Sequence, residues 1–309
     1  MTKSRTTRCP AFGAVGRKPC CRRDLVNEYL LILKKLLQSV RNGVRRKGRE
    51  RTDMTRWLEG IGREVLTWLG YIGEVMLLLW ETLRQMKRPP RLRLIFSQMA
   101  HLGVDTLPIV ALTLLFTGMV MTLQIVHEFI RFGAQATIGG VIAIAIGREL
   151  GPVLVGVVAA GRVGAAITAE ISTMKVTEQI DALRVLATNP VGYLVVPRMI
   201  ACMAMVPILT VFGDVVGVLG GWLVASGGRG ISSYLYWHSI DMFTVAHDLT
   251  GGLVKAVVFG MIIALLGCYC GLQSPEGAEG VGVATTRSVV SAIIMIFCAN
   301  CFLSMMLYQ

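Results

Sequence analysis

The stretch Gly147–Pro190 reads GRELGPVLVGVVAAGRVGAAITAEISTMKVTEQIDALRVLATNP and combines two kinds of segment. Its first half is apolar and rich in glycine and alanine, with Arg148 and Glu149 side by side near its start. Its second half is polar and charged, and it stops at Asn189 because the residue before a proline is disfavoured in a helix. A membrane span that continues into an amphipathic helix predicts a device that links events in the bilayer to a soluble partner.

The composition of the whole chain predicts a polytopic membrane protein. Of the 309 residues 54% are hydrophobic, and the mean hydropathy of +0.62 is too high for an ordinary soluble domain. Residues 1–103 contain 22 Lys and Arg against 8 Asp and Glu, whereas residues 104–309 contain 9 against 11. Such an asymmetry is typical of the cytoplasmic side of a membrane protein. The rival explanation, nucleic-acid binding, does not fit this hydropathy.

Two N-terminal regions precede the predicted spans. Residues 1–53 form a basic extension that we predict to be disordered on the membrane surface. An organellar transit peptide, or a leader upstream of a true start at Met54, are the alternatives. Within residues 54–103, the segment Trp57–Met86 carries apolar residues at three- and four-residue steps with charges between them. We expect an amphipathic helix lying in the membrane interface, with a sixth span as the alternative.

Five apolar segments are each long enough to cross the hydrocarbon core of a bilayer. They are Thr106–Val126, Gly139–Ala160, Met199–Ser226, Leu249–Leu272 and Ser288–Tyr308. The loops after spans two and four contain five basic residues, whereas those after spans one and three contain two. The positive-inside rule therefore predicts a cytoplasmic N-terminus and an external C-terminus. The predicted fold is an all-α polytopic membrane protein, with a five-span domain over residues 104–309.

Four charged residues fall within the predicted spans, where each costs about 2.5–3.5 kcal/mol at a helix centre. Arg148 and Glu149 are adjacent, so their side chains project about 100° apart and each needs its own partner. Lys255 in span four is the candidate partner of Glu149. Two explanations stay open: a polar patch that handles a ligand such as a lipid headgroup, and an ion pair that only fixes helix packing. Asp214 in span three is expected to pair or hydrogen-bond locally.

The polar half of Gly147–Pro190 predicts a cytoplasmic helix at about residues 168–189. Thr177 is expected to cap it, and Asp181 and Arg184 are spaced to form a weak pair. The helix has a narrow apolar stripe, which consists of Val176, Ile180, Leu183 and Ala187. The pattern fits both a helix resting on the membrane surface and a helix held in a groove of a soluble partner.

The chain lacks the common catalytic and metal-binding signatures. It contains no G-x-x-x-x-G-K-[ST] phosphate loop, so ATP hydrolysis would reside on another chain. It contains no G-x-S-x-G or H-E-x-x-H motif, and its four histidines are scattered. Cys298 and Cys301 have redox spacing, but within a span they are expected to pack as small hydrophobes. We therefore predict no enzyme activity, no metal site and no cofactor.

Six blocks follow one another in the sequence: RELGPVL at 148–154, AGRVGAAITAEISTMKVTEQIDAL at 160–183, NP at 189–190, PR at 197–198, KAVVFG at 255–260 and GAEGVGVATTRSVV at 277–290. In this order they resemble the MlaE-type permeases, the membrane subunits of ABC transporters that work with MCE proteins in lipid trafficking. The resemblance covers about Trp57–Tyr308 and leaves residues 1–53 outside it.

The resemblance implies an architecture and a set of partners. Such permeases have a membrane-laid N-terminal helix, five spans and a cytoplasmic coupling helix between spans two and three. They form homodimers, with a lipid cavity between the two copies that opens toward a periplasmic MCE ring. Two cytoplasmic ATPase subunits supply the phosphate loop that this chain lacks.

The resemblance also implies site residues. The family's polar cavity residues match Arg148, Glu149 and Lys255. An aspartate that members often carry in the last span aligns with Asn300, whose amide can hydrogen-bond but carries no charge. The implied ATPase-coupling residues are Glu170, Lys175, Glu178, Ile180, Asp181, Leu183 and Arg184.

The predicted function is that of a permease subunit that moves phospholipid between the inner membrane and an MCE protein, powered by a separate ATPase. A secondary transporter or channel that uses Glu149 and Lys255 as an ion relay is the alternative. Neighbouring genes for an ATPase and an MCE-domain protein would discriminate between the two. An intramembrane enzyme, the third class, lacks a catalytic constellation. The expected location is the inner (cytoplasmic) membrane, with the plastid inner envelope as the alternative.

Overall fold

The computed structural model describes the residues Arg63, Leu66, 69–86 and 92–308. The predicted extension 1–53 lies outside the described residues. The chain divides into two compact units, residues 1–70 and residues 71–309. The described residues of the first unit are helical, and those of the second form helices and short turns with no β-strand among them.

Five helical stretches in the described part of the chain are long and apolar enough to cross a membrane. They are Arg93–Arg131, Gln135–Val176, Val191–Gly228, Ala246–Leu272 and Ala278–Tyr308. The five predicted spans are therefore confirmed. Each helix is longer than the apolar segment predicted from the sequence, because the helix continues past the hydrocarbon-compatible residues at its ends.

The helices follow one another in a simple order. Before span one come α1, helical at 71–85, and α2, Leu92–Gly103, with a 3₁₀ turn at Val104–Thr106. Span one is completed by α3, Leu107–Arg131; span two contains α4, Ile138–Ala145, α5, Gly151–Ala159, and α6, Ala165–Val176. Then follow α7, Gln179–Val185; α8, Val196–Arg229; α9, Ser233–Phe243; α10, Ala246–Leu272; and α11, Ala278–Tyr308. Spans three, four and five are formed mainly by α8, α10 and α11.

Span two is interrupted by two π-helical turns, at Ile146–Leu150 and Ala160–Gly164. A third such turn, Val191–Val195, begins span three. Turns of this kind are rare in proteins and occur frequently at functional sites. The first of them contains Arg148 and Glu149, so the charged pair lies at the point where the regular helix is broken.

Span four lies at the centre of the helix packing. Its most apolar window is 67% buried, compared with 11% for span five. Small residues allow its neighbours to approach closely. A side chain at Gly260 would meet the backbone of Cys202 in span three, and one at Gly267 would meet Ile167 in span two. Span four therefore packs closely against both span two and span three.

Helix α1 is amphipathic, as the residue spacing predicts. It buries Val75 and Thr82 and exposes Met76, Leu77 and Trp80. An exposed apolar face of this kind is typical of a helix at a membrane interface. That location stays a prediction.

The segment predicted as one helix over about 168–189 is divided in the structure. α6 continues span two, and α7 begins only after Glu178, whose φ of 58° lies in the left-handed region. The expectation that Thr177 caps this helix is wrong, because its hydroxyl donates to the carbonyl of Thr173 at 2.8 Å. A left-handed residue reverses the local backbone, so α7 leaves the direction of span two.

Helix α7 also ends at a left-handed residue. Ala187 has a φ of 54°, and its amide donates to the carbonyl of Arg184 at 3.0 Å. The amide of Thr188 donates to the carbonyl of Leu183 at 3.0 Å, which completes a Schellman motif. Helix α7 is thus a short unit bounded on both sides by defined backbone reversals.

Candidate functional site

The first π-helical turn of span two leads directly into Pro152. Proline has no backbone N–H, so in an α-helix the carbonyl four residues earlier, that of Arg148, loses its donor. Lys255 on span four supplies one, because its Nζ donates to this carbonyl at 3.0 Å. The interruption of span two therefore creates a polar attachment point for span four.

Span four also comes very close to span two at this turn. A side chain at Gly252 would collide with the carbonyl oxygen of Gly147. Only a residue without a Cβ leaves room for that carbonyl. Gly252 lies one helical turn before Lys255, so the close approach places the lysine beside the break.

Lys255 is fully buried, and its ammonium group has three acceptors. Besides the Arg148 carbonyl, Nζ donates to Oε1 of Glu149 at 2.6 Å and to Oγ of Ser304 at 2.8 Å. An ammonium carries three hydrogens, so these contacts use its full donor capacity. The predicted pairing of Lys255 with Glu149 is confirmed.

Glu149 connects spans two and five. Asn300 donates from Nδ2 to Oε2 at 3.0 Å, and the Ser304 hydroxyl donates to Oε1 at 2.8 Å. The expectation that Asn300 forms a hydrogen bond is confirmed. Because both oxygens of Glu149 accept hydrogen bonds, its charge is stabilised from spans four and five together.

Arg148 points away from Glu149 and has its own partner, as predicted for adjacent helix residues. Its Nε and Nη2 lie 2.7 and 2.6 Å from Oδ1 of Asp248. The guanidinium lies 4.6 Å from the centre of the Tyr308 ring, a cation–π contact. The side chains of Arg148 and Glu149 are 38% and 41% exposed, whereas those of Asp248 and Lys255 are 3% and 0% exposed.

These residues form what we term the polar cluster: Arg148, Glu149, Asp248, Lys255, Asn300, Ser304 and Tyr308. Sequence reasoning missed three of them, although the spacing contains a signal. Asp248 lies seven residues before Lys255, which is two turns along one helix face. Ser304 and Tyr308 follow Asn300 at successive steps of four. The cluster thus combines one face from each of spans four and five.

Three of the predicted coupling residues bind their segment to the rest of the chain. Glu170 accepts a hydrogen bond from Nη2 of the buried Arg198 at 2.8 Å. Lys175 donates to the carbonyl of Ser274 at 2.9 Å, in the connection between spans four and five. Ile180 is only 4% exposed and belongs to the main core. These contacts therefore attach the segment to span three, to the connection between spans four and five, and to the core.

The other predicted coupling residues lie nearer the surface. Glu178 is exposed, Leu183 is half-buried, and Asp181 and Arg184 form the predicted exposed pair at 2.9 Å. Sequence reasoning missed the two most exposed apolar side chains of this region. They are Val185 at 87% and Leu186 at 72% exposure. The predicted stripe assumed one continuous helix, whereas the reversal at Glu178 changes which residues face outward.

Asp214 in span three does not follow its prediction. It lies beside Gly151, where a side chain would collide with its carboxyl group. Its Oδ1 is buried and makes no hydrogen bond within the described part of the chain. The expectation of a local partner is therefore wrong for this oxygen, because the neighbouring glycine offers space but no donor side chain.

The five spans and the charged cluster between them define a polytopic membrane protein. The family model described as Permease MlaE matches residues 95–306, and the chain belongs to this family of ABC transporter permeases. Permeases of this class are not themselves enzymes, and the class implies an ATPase partner. The alternative of a secondary transporter or channel without an ATPase therefore does not hold.

Three relatives illustrate the similarity. A probable ABC transporter permease protein of Rickettsia typhi is 43% identical over 250 residues, which cover 81% of this chain and 96% of the relative. A probable ABC transporter permease protein of Synechocystis sp. is 48% identical over 213 residues, which cover 69% and 81%. The chloroplastic protein TRIGALACTOSYLDIACYLGLYCEROL 1 of Arabidopsis thaliana is 39% identical over 227 residues, which cover 74% and 65%.

Proposed function

We propose that this permease moves phospholipid between the inner membrane and an MCE-domain protein, as a homodimer driven by a separate cytoplasmic ATPase. The polar cluster is the observation that carries the proposal. Charged groups inside a bilayer are retained where they pair or meet a polar ligand, and two charged members of this cluster are partly exposed. These two, Arg148 and Glu149, form ion pairs with the buried Asp248 and Lys255.

Arg148 is the residue best suited to bind a lipid phosphate. It uses Nε and Nη2 on Asp248, and Nη1 makes no hydrogen bond within the described residues. A guanidinium binds phosphate oxygens through a planar set of donors. Lys255 has no free donor, so its role in this proposal is to hold Glu149 and the backbone of span two in place. Asn300 completes the cavity wall from span five.

Lipid as the cargo is supported by a relative. The name of the Arabidopsis relative contains that of a lipid, trigalactosyldiacylglycerol. Phospholipid and the MCE partner for this chain rest on the sequence blocks that resemble MlaE-type permeases. The same blocks support a multi-pass location in the inner membrane, and the chloroplastic relative fits the plastid inner envelope as the alternative.

A second copy of the chain accounts for the exposed surface of span five. Only 11% of its most apolar window is buried. Phe297 and Phe302 on this helix are 55% and 78% exposed. In the proposed homodimer part of this surface faces the partner copy, and the lipid cavity lies between the two.

The proposed ATPase docks on α7 and moves span two. Val185 and Leu186 offer it an exposed apolar contact. Helix α6 belongs to the same helical stretch as Arg148 and Glu149, so displacement of α7 pulls directly on the polar cluster. The ion pair between Glu170 and Arg198 passes the same displacement to span three.

The test replaces Val185 and Leu186 together with Asp. We expect the double variant to lose copurification of the ATPase and phospholipid-stimulated ATP hydrolysis, because charges disrupt an apolar contact. Substituting Ile180 would be a poorer test, since it is buried and its loss would disturb folding. Copurification and hydrolysis both at the level of the unmodified protein would overturn the proposed docking site.

The matched control is Met242→Asp on α9. Met242 is also an exposed apolar residue, at 69% exposure, but it lies in the connection on the opposite side of the spans from α7. We expect this variant to retain the ATPase. Mass spectrometry of lipid bound to the purified complex tests the cargo, and phospholipid content no higher than in an unrelated membrane protein would contradict it.

A further inference from the structure

A cleft lies where α1 meets the segment that follows α7. Its volume is about 450 Å³, and the described residues that line it are Glu81, Arg84, Gln85 and Asn189. This size falls within the range of pockets that hold small ligands. The cleft is formed by other residues than the polar cluster, and it lies on the side of the membrane that carries α7.

The walls of the cleft are held by specific hydrogen bonds. Asn189 donates from Nδ2 to Oε1 of Glu81 at 3.2 Å, and its Oδ1 accepts the amide of Val191 at 3.0 Å. Gln85 donates to the same Oε1 of Glu81 at 3.2 Å. Gly192 lies beside the same wall, because a Cβ added there would meet Oε1 of Gln85. The carboxylate of Glu81 therefore accepts hydrogen bonds from two neutral amides.

The two charged side chains that line the cleft are those of Glu81 and Arg84. Glu81 and Arg84 are three residues apart on a helix, the spacing at which Asp181 and Arg184 pair at 2.9 Å. Glu81 and Arg84 form no ion pair, and no carboxylate pairs with Arg84 among the described residues. One cation and one anion thus line the same cleft without forming an ion pair with each other.

We propose that this cleft binds the headgroup of a zwitterionic phospholipid, with the phosphate on Arg84 and the ammonium on Glu81. Arginine and carboxylate are the side chains that pair with these two groups. Leu77 and Trp80 lie one helical turn before Glu81 and Arg84 and are 69% and 70% exposed, which provides an apolar surface for the acyl chains. The inference requires α1 to lie at the membrane interface, and it goes beyond the transport cavity proposed above.

The test measures binding to the full chain purified in detergent. The probes are short-chain phosphatidylethanolamine, short-chain phosphatidylglycerol and inorganic phosphate. We expect phosphatidylethanolamine to bind most tightly. Arg84→Gln should weaken both lipids by about tenfold, because each loses a charge-assisted hydrogen bond. Glu81→Gln should weaken phosphatidylethanolamine alone, since phosphatidylglycerol has no ammonium group.

Arg131→Gln is the control, because it removes an exposed arginine that is three residues from a glutamate, Glu128, outside the cleft, and it should leave both affinities unchanged. Size-exclusion profiles and thermal unfolding verify that the variants are folded. Equal affinity for the two lipids, or phosphatidylethanolamine binding unaltered in both cleft variants, would overturn the proposal. Inorganic phosphate binding as tightly as the lipids would show an anion site instead. Arg148→Gln, measured in parallel, separates binding in the proposed transport cavity from binding in the cleft, so the failure of this site and that of the proposed function are distinguishable.

Discussion

Lys255 shows at the residue scale how the chain tolerates an ammonium group in the middle of its packing. Burial of an unpaired charge is prohibitive, so the group must find acceptors inside the protein. The acceptors come from a carbonyl released by Pro152, a carboxylate and a hydroxyl. Three spans are therefore joined at one nitrogen atom, and the loss of that atom would leave Glu149 without a counter-charge.

Lys255→Met tests this dependence. We expect the free energy of unfolding in detergent to fall by about 3 kcal/mol, the low end of the range for a broken buried pair, because Glu149 is partly exposed. The double variant Lys255→Met with Glu149→Gln should recover much of this loss, since no unpaired charge is left. Lys175→Met, which loses only a contact to a carbonyl, serves as the control. A double variant no more stable than Lys255→Met would contradict the explanation.

At the scale of the helices, spans two and four pack closely where the π-helical turn of span two meets a glycine of span four. The π-helical turn directs carbonyl groups of span two toward span four, and the glycines of span four accommodate them. Helix α7 is likewise defined by its ends, with left-handed residues Glu178 and Ala187 on either side. In both places an irregular backbone, rather than a regular one, determines what a neighbouring element can touch.

Gly252→Ala tests the helix contact. The added methyl group would collide with the Gly147 carbonyl, so we expect a loss of about 1–3 kcal/mol in unfolding free energy. Thermal unfolding in detergent measures it. Gly161→Ala is the control: Gly161 lies in the second π-helical turn of span two, and nothing lies within 4 Å of its added Cβ. Equal stability of the two variants would exclude close packing as the role of Gly252.

At the scale of the whole molecule, the number of spans determines the side on which each functional element lies. Five crossings put the two ends of the five-span region on opposite sides of the membrane. The connections after spans two and four lie on one side, together with α7, and are tied by the bond from Lys175 to Ser274. The polar cluster, near the end of span five, is reached from the other side. The proposed ATPase and MCE protein would thus act from opposite faces.

Reporter fusions test this orientation in a bacterial host. Alkaline phosphatase, which is active only outside the cytoplasm, is expected to be active when fused after Gln309 and inactive when fused after Gln273. This orientation is expected because the loops after spans two and four contain more basic residues than those after spans one and three. Activity of the Gln273 fusion together with inactivity of the Gln309 fusion would reverse the assignment.

The sequence by itself determined the spans, because lipid satisfies no backbone polar group and a long apolar helix is the simplest structure that can cross it. It also determined that Arg148 and Glu149 have separate partners, since adjacent residues diverge around a helix. The pairing of Glu149 with Lys255 was predictable from the shortage of charges within the spans. The exposed pair of Asp181 and Arg184 was predicted from local spacing, although Glu81 and Arg84 do not pair at the same spacing.

Only the tertiary structure decided the remaining partners. Asp248 and Tyr308 meet Arg148 because spans two, four and five are rotated and spaced in one particular way, which helical periodicity does not specify. The exposure of Leu186 depends on a single backbone reversal at Glu178. The spacing of residues along the chain determines which of them share a helix face. The packing of helices that are distant in sequence determines which residues that face contacts.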